Sequence, residues 1–121
     1  MNHYTNPDTV QEFKYIGLKM LNAPTEGSIH EQNRTFVESF GVKWHICAII
    51  WQDIYPTLFP THQNNIKTKH LLWCLLFMKR YSKGKADAQT AGVTMKTFRK
   101  WVWIVMVAIA ECDSEWVSFL F

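Results

Sequence analysis

The stretch "AGVTMKTFRKWVW", residues Ala91 to Trp103, decides how this chain folds. Its first residues predict a tight turn, and the later ones predict a helix that is basic at its start and apolar afterwards. Thr94 suits the N-cap because its hydroxyl can accept a hydrogen bond from a backbone N–H of the next turn. Apolar side chains then recur at helical spacing and predict an inward stripe: Phe98, Trp101, Val102 and Val105.

The residues before this helix suit a helix-turn-helix, which we predict over Ala86 to Cys112. The small Ala88 lets two helices pack closely, and four residues later Gly92 supplies the turn conformation that a β-carbon disfavours. Val93 follows as an apolar plug. The same pattern also occurs in αα corners that bind nothing, so a purely structural role stays open.

The outer side chains of this unit are the candidate DNA-binding residues. Recognition helices present their N-terminal residues to base edges and phosphates, and Lys, Arg and Thr suit both. Met95 could contact a thymine methyl group, and two lysines flank the first helix, where backbone contacts are expected. The full set is Lys83, Lys85, Thr94, Met95, Lys96, Thr97, Arg99 and Lys100.

The positive charge of the chain is concentrated in one segment. The formal net charge is only +3, but residues 61–100 hold nine Lys or Arg against the single Asp87, which gives +8. Residues 1–60 carry −2 and residues 101–121 carry −3. A concentrated basic patch is typical of a phosphate-binding surface, although a solvated helix face gives the same signal.

Strand signals are weak throughout, so we predict an all-α fold, a small helical bundle that contains the helix-turn-helix. Residues 1–28 are expected to form a loosely ordered N-terminal segment and linker, with one short helix interrupted by Gly17. Residues 29–121 are expected to form the helical domain. A helix after Gly41 should end at Pro56 and Pro60, and the segment from Leu71 to Met78 is apolar enough to be a central helix.

Composition narrows the class of protein. Apolar residues make up 48% of 121, which supplies material for a core. The first 28 residues lack the pattern of a secretory signal, and no apolar run is long enough to span a bilayer. The three cysteines predict reduced thiols. These features favour a soluble intracellular protein.

Other kinds of site have less support in the sequence than DNA binding. His45 with Cys47, and His70 with Cys74, lie in apolar helices and lack the tight spacing of structural zinc sites, so we expect no metal or other cofactor. Cys–His catalysis has still less support. Most tryptophans are expected in the core instead of stacking on bases, with Trp103 the least certain because it lies off the inward stripe.

Two stretches give the chain a resemblance to a known family. "KHLLWCLLFMKRY" (Lys69–Tyr81) and "AGVTMKTFRKWVWIVMVAIAEC" (Ala91–Cys112) resemble the N-terminal region of Harbinger-like DDE transposases, in which a "GV…KTFRKW" helix leads into the catalytic domain. The upstream "FVESFGVKWHICAIIW" is similar as well. The resemblance covers roughly Thr35 to Trp116, and "KTFRKW" is its most specific part.

The resemblance implies a DNA-binding module that precedes a nuclease domain. Such a domain holds metal ions with three carboxylates, and no acidic residue here can be matched to them, so we expect no catalysis. We expect a truncated, transposase-derived module, nuclear in location, with double-stranded DNA as its partner.

A last helix that is apolar on every face from Trp101 to Ala110 predicts a homo-oligomer through this helix and the "WVSFLF" tail. The alternative function is a helical interaction or oligomerisation module with a vestigial DNA surface. A membrane-surface role is disfavoured because the acidic residue Glu111 ends the helix.

Overall fold

Six α-helices make up most of the chain that the structure describes. A computed structural model covers residues 6–62, 64–80, 84–112, 116 and 119–120, with the backbone alone at 80 and 84–86. The helices are α1 (Pro7–Met20), α2 (Ile29–Phe40), α3 (Trp44–His62), α4 (Thr68–Arg80), α5 (Gly84–Ala91) and α6 (Met95–Cys112). These described residues include no strand, so the all-α prediction is confirmed.

Short polar and glycine signals set the ends of α2. The Ser28 hydroxyl accepts a hydrogen bond from the Glu31 N–H at 3.4 Å, which satisfies one of the free donors at the start of the helix. Gly41 ends the helix in the left-handed conformation, with φ +83°, and its N–H donates to the Val37 carbonyl at 2.8 Å. Both ends therefore follow from local sequence.

The most apolar helix, α4, lies at the centre of the bundle, as its sequence predicts. Every residue from Leu71 to Leu76 is buried, and α4 contacts each of the other five helices. Because the other helices cover α4 on all sides, its apolar residues extend around the whole circumference. Despite this composition, none of the described helices has the length and hydropathy needed to cross a membrane.

The N-terminal helix belongs to the same core. Phe13 and Leu18 are fully buried, and α1 contacts α2, α3 and α4. The expected interruption at Gly17 does not occur, because α1 runs through this residue. Gly17 is buried where the Phe36 ring approaches the backbone too closely to leave room for a β-carbon. Gly17 therefore allows a close contact between α1 and α2 and does not interrupt α1.

The prediction that α3 ends at Pro56 and Pro60 is wrong, since the helix continues to His62. Proline inside a helix removes one hydrogen bond and clashes with the preceding turn, at a cost of about 3 kcal/mol. Both prolines are exposed, so water can solvate the carbonyls that lose their partners, while Ile54 and Leu58 are buried on the inner face. Burial of Leu58, which follows Pro56, contributes roughly 1.5–3 kcal/mol and offsets part of that cost.

Candidate nucleic-acid interface

The turn between α5 and α6 has the geometry that its sequence predicts. Gly92 takes φ +77°, a conformation in which a β-carbon is strained. The Gly92 N–H donates to the Gln89 carbonyl at 3.1 Å, and the Val93 N–H donates to the Ala88 carbonyl at 3.0 Å. Ala88 is buried, and Val93 packs partly against the core. The small residue, the glycine and the plug thus set the angle at which α6 leaves the turn.

Thr94 caps α6. Its Oγ1 accepts a hydrogen bond from the Thr97 N–H at 3.3 Å, and its hydroxyl donates to Thr97 Oγ1 at 3.1 Å. Both hydrogen bonds stay within the first turn, so Thr94 is occupied with starting the helix. The Thr97 hydroxyl keeps its own hydrogen available to donate outwards, and its side chain is exposed.

The inner face of α6 is apolar and buried, whereas the outer face of its first turns is polar and exposed. The predicted inward residues Phe98, Trp101, Val102 and Val105 are all buried. Lys96, Thr97, Arg99 and Lys100 are exposed. At 3.6 residues per turn, Lys96, Arg99 and Lys100 lie within roughly 100° of one another around the helix axis. Three cations therefore share the outer face of the first two turns.

The charges of this basic face have no ion-pair partner among the acidic side chains that the structure describes. Within the described part of the chain, no ion pair holds Lys96, Arg99 or Lys100. The Lys100 ammonium lies 5.1 Å from the centre of the Trp101 ring, where the ring's negative face attracts it without cancelling its charge. The three charges remain available to an anionic partner.

The remaining candidate residues have different surroundings. Met95 is half-buried and packs partly against the core, so only part of its side chain faces outwards. Lys85 belongs to the first turn of α5 by its backbone, but its side chain lies outside the described residues, as does the whole of Lys83. The prediction that both lysines contact the DNA backbone beside the first helix stays a prediction.

A ladder of aromatic rings joins α6 to the start of α4. The His70 ring lies flat on Trp101, with centroids 4.1 Å apart, and meets Trp73 edge-on at 4.8 Å. The ladder has a lysine at each end, because the Lys69 ammonium lies 5.6 Å from the Trp73 ring and Lys100 lies over Trp101. Lys69 is exposed. It also borders a pocket that residues of α1 and α3 line.

The protonation state of the His70 ring is fixed by a hydrogen bond and by burial. Its Nδ1 accepts a hydrogen bond from the Lys67 N–H at 2.9 Å, which satisfies a free donor at the start of α4. Burial lowers the pKa of His70 to about 4, and the nearby positive charges of Lys69 and Lys67 contribute further. The ring is therefore neutral at pH 7, as the hydrogen bond to Nδ1 requires.

Trp103 is the most exposed large apolar side chain of α6. With 67% of its surface accessible, it lies one turn beyond Lys100 on the outer face. It borders an open groove of about 280 Å³ between α3 and α6, which Leu58, Ile104 and Val107 also line. Of the tryptophans weighed for base stacking, Trp44, Trp73 and Trp101 are buried in the core.

The histidines and cysteines weighed for metal binding or catalysis lie apart or deep in the core. Within the described ranges, no three His, Cys, Asp or Glu side chains converge on a point that could hold a metal ion. His45 is exposed, whereas Cys47 is buried. Burial raises the pKa of the Cys47 and Cys74 thiols far above neutral, so neither supplies a thiolate nucleophile at pH 7.

No protein-family model, curated protein or solved structure matches this chain. The resemblance of its sequence to Harbinger-like transposases therefore stays a prediction. Its function has to follow from the exposed basic face of α6 and the residues around it.

Proposed function

We propose that this chain is a non-catalytic module that binds double-stranded DNA through the first two turns of α6. The supporting observation is the cluster of Lys96, Arg99 and Lys100, which are exposed and make no ion pair in the described part of the chain. They lie at the start of a helix that follows a glycine turn and a threonine cap, as recognition helices do.

Phosphate contacts supply most of the affinity in this mechanism. Lys96, Arg99 and Lys100 neutralise phosphates and release condensed counterions, so binding weakens steeply with salt. Because the stack of His70 on Trp101 fixes α6 against α4, the three cations keep a constant spacing against the DNA backbone.

The side chains that enter a DNA groove most deeply contact the bases. Lys96 and Arg99 suit guanine edges, and the Thr97 hydroxyl suits a base edge or a phosphate. Thr94 acts through the cap that orients the helix. The resemblance to Harbinger-like transposases supports descent from the DNA-binding region of such an enzyme, and a nuclear location goes with that descent.

The test is a fluorescence-anisotropy titration of a labelled duplex at two salt concentrations. Wild type should bind, and a tenfold rise in salt should weaken it by orders of magnitude. The triple variant Lys96→Ala, Arg99→Ala, Lys100→Ala should bind far more weakly. The slope of log affinity against log salt should fall by roughly two to three units, about 0.9 per lost phosphate contact.

The matched control removes the same charges elsewhere. Lys19, Arg34 and Lys43 are exposed on or beside other helices, and changing all three to Ala also removes two Lys and one Arg. This control should keep most of the affinity and the full salt slope. If wild type folds but does not bind at low salt, or if both triple variants lose the same affinity, α6 is not a DNA-contacting surface.

The exposure of Trp103 favours a second candidate function, a helical interaction or oligomerisation module whose DNA surface is vestigial. A single large apolar side chain on a polar face is typical of an anchor in a protein interface. Changing Trp103 to Ala should abolish the interaction of such a module. The same change should leave a purely electrostatic duplex affinity within a fewfold of wild type.

A further inference from the structure

We infer that two copies of this chain pair through antiparallel α6 helices, with Lys96 of each copy against Glu111 of the other. The pairing goes beyond DNA binding and does not depend on it, because the residues that argue for it lie along the whole outer face of α6. It names the partner, the orientation and the register of the interface.

The outer face of α6 forms one continuous stripe. Lys96, Lys100, Trp103, Val107 and Ala110 lie within roughly 40° of a single line along the helix at 3.6 residues per turn. All are exposed except Val107, which is half-buried. The stripe begins with two lysines and is apolar from Trp103 onwards, and the exposed Glu111 lies beside its end, roughly 60° from the line. Opposite charges at the two ends of an apolar middle suit a helix-pair interface.

The charges at the two ends of the stripe are opposite. Lys96 lies near the start of α6 and the exposed Glu111 near its end, roughly 22 Å further along the axis at 1.5 Å per residue. A twofold axis requires each residue to meet its counterpart in the reverse order. An axis between Trp103 and Ile104 places Lys96 against the second copy's Glu111 and Lys100 against its Val107.

A parallel pair would oppose like charges, lysine against lysine and glutamate against glutamate. The antiparallel pair replaces both repulsions with attractions and also sets the two helix dipoles in opposite directions. Charge complementarity on this face thus selects a second copy of the same chain as the partner. A shallow crossing, near 20°, keeps the ends of the two helices close enough for both ion pairs.

The centre of the pair supplies apolar burial. Trp103 lies next to the proposed axis, so the second copy's Trp103 enters the groove between α3 and α6, beside Ile104 and Val107. Leu58 closes the groove from the α3 side. Lys96 and Lys100 lie inside this interface, so a copy engaged in the pair cannot offer them to another anion.

Sedimentation velocity at tens of micromolar protein, without DNA, tests the pairing. Wild type should sediment as a dimer. Lys96→Glu and Glu111→Lys should each raise the dissociation constant at least about tenfold, or about 1.4 kcal/mol, because symmetry makes each change act twice. The double variant Lys96→Glu, Glu111→Lys restores opposite charges and should return to within a fewfold of wild type.

Matched reversals control for net charge and folding. Lys43→Glu and Glu38→Lys reverse exposed residues outside α6 and should leave the dimer unchanged. Trp103→Glu should give a folded monomer, since Trp103 makes little contact within its own chain. A monomeric wild type, a dimer insensitive to both single changes, or a double variant no better than the singles would each overturn the pairing, whatever the result with DNA.

Discussion

The indole N–H of Trp116 donates to Asp53 Oδ2 at 2.7 Å, which fastens the segment after α6 to the middle of α3. The Cys112 thiol donates to the Asp53 carbonyl at 2.9 Å, so two contacts converge on one residue. These contacts hold the end of α6 against the same helix that contains Leu58.

Removing the acceptor should loosen this attachment. We expect Asp53→Ala to lower the free energy of unfolding by about 1–2 kcal/mol, because a hydrogen bond to a charged, partly buried group is lost. Trp116→Phe keeps the ring and removes the donor, and it should cost a similar amount. Urea denaturation of both single variants and the double variant measures the coupling, and strictly additive losses would contradict a direct bond.

Acid should destabilise the fold through His70. The folded pKa of about 4 lies below the ordinary value of 6.5, so the neutral ring is favoured in the folded state. The resulting stability is fully present above pH 6.5 and is lost as pH falls from 6.5 towards 4, by about 3 kcal/mol in all. Urea denaturation at several pH values follows the loss.

Two variants separate His70 from the carboxylates that also titrate in acid. His70→Gln keeps an acceptor for the Lys67 N–H but has no titratable ring. It should be less stable than wild type at pH 7, because the stack on Trp101 is lost, and this difference should narrow as the pH falls to 4. His45→Gln, at an exposed position, should keep the wild-type profile. If the difference in stability between wild type and His70→Gln does not change with pH, His70 does not cause the loss of stability in acid.

Gly17→Ala should destabilise the protein although alanine is the better helix former. In an open helix the change would stabilise by about 1 kcal/mol, but here the new methyl group meets the Phe36 ring. We expect a net loss of about 1–3 kcal/mol, the usual cost of overpacking a core. Adding Phe36→Leu to Gly17→Ala should recover part of the loss in thermal denaturation, and no recovery would mean that the clash lies elsewhere.

Gly92→Ala should cost about 1–2 kcal/mol for a different reason. Apart from the two neighbouring residues in the chain, no described atom lies within 4 Å of the position that a β-carbon would take, so the cost comes from the left-handed φ of +77°. Gly92→Asn should lose less, because asparagine tolerates this conformation better. Thermal denaturation that ranks Asn below Ala would point to a change in the turn itself.

Local patterns in the sequence were enough to predict most of α6 and the turn before it. The inward stripe, the Thr94 cap and the Gly92 turn each depend on residues within a few positions of one another, and the structure has all three. The central position of α4 followed from its apolar circumference. The basic face could be predicted because its residues occupy the positions of α6 that the inward stripe leaves free.

The remaining features depend on contacts between distant residues or on which side faces water. The stack of His70 on Trp101 requires the relative placement of α4 and α6, and the Asp53–Trp116 bond joins residues 63 positions apart. Pro56 and Pro60 misled the prediction because the effect of a proline depends on its exposure, which its neighbours in sequence do not reveal.

The central position of α4 also has a consequence for synthesis. Translation completes α4 before α6 exists, yet α6 provides much of its cover. On the ribosome, α1, α2 and α3 can cover α4 first, but the part of the Leu71–Leu76 surface that α6 covers stays in contact with water until α6 has emerged. That interval is when a nascent chain is most exposed to aggregation, and it ends only when the helix that bears the basic face docks.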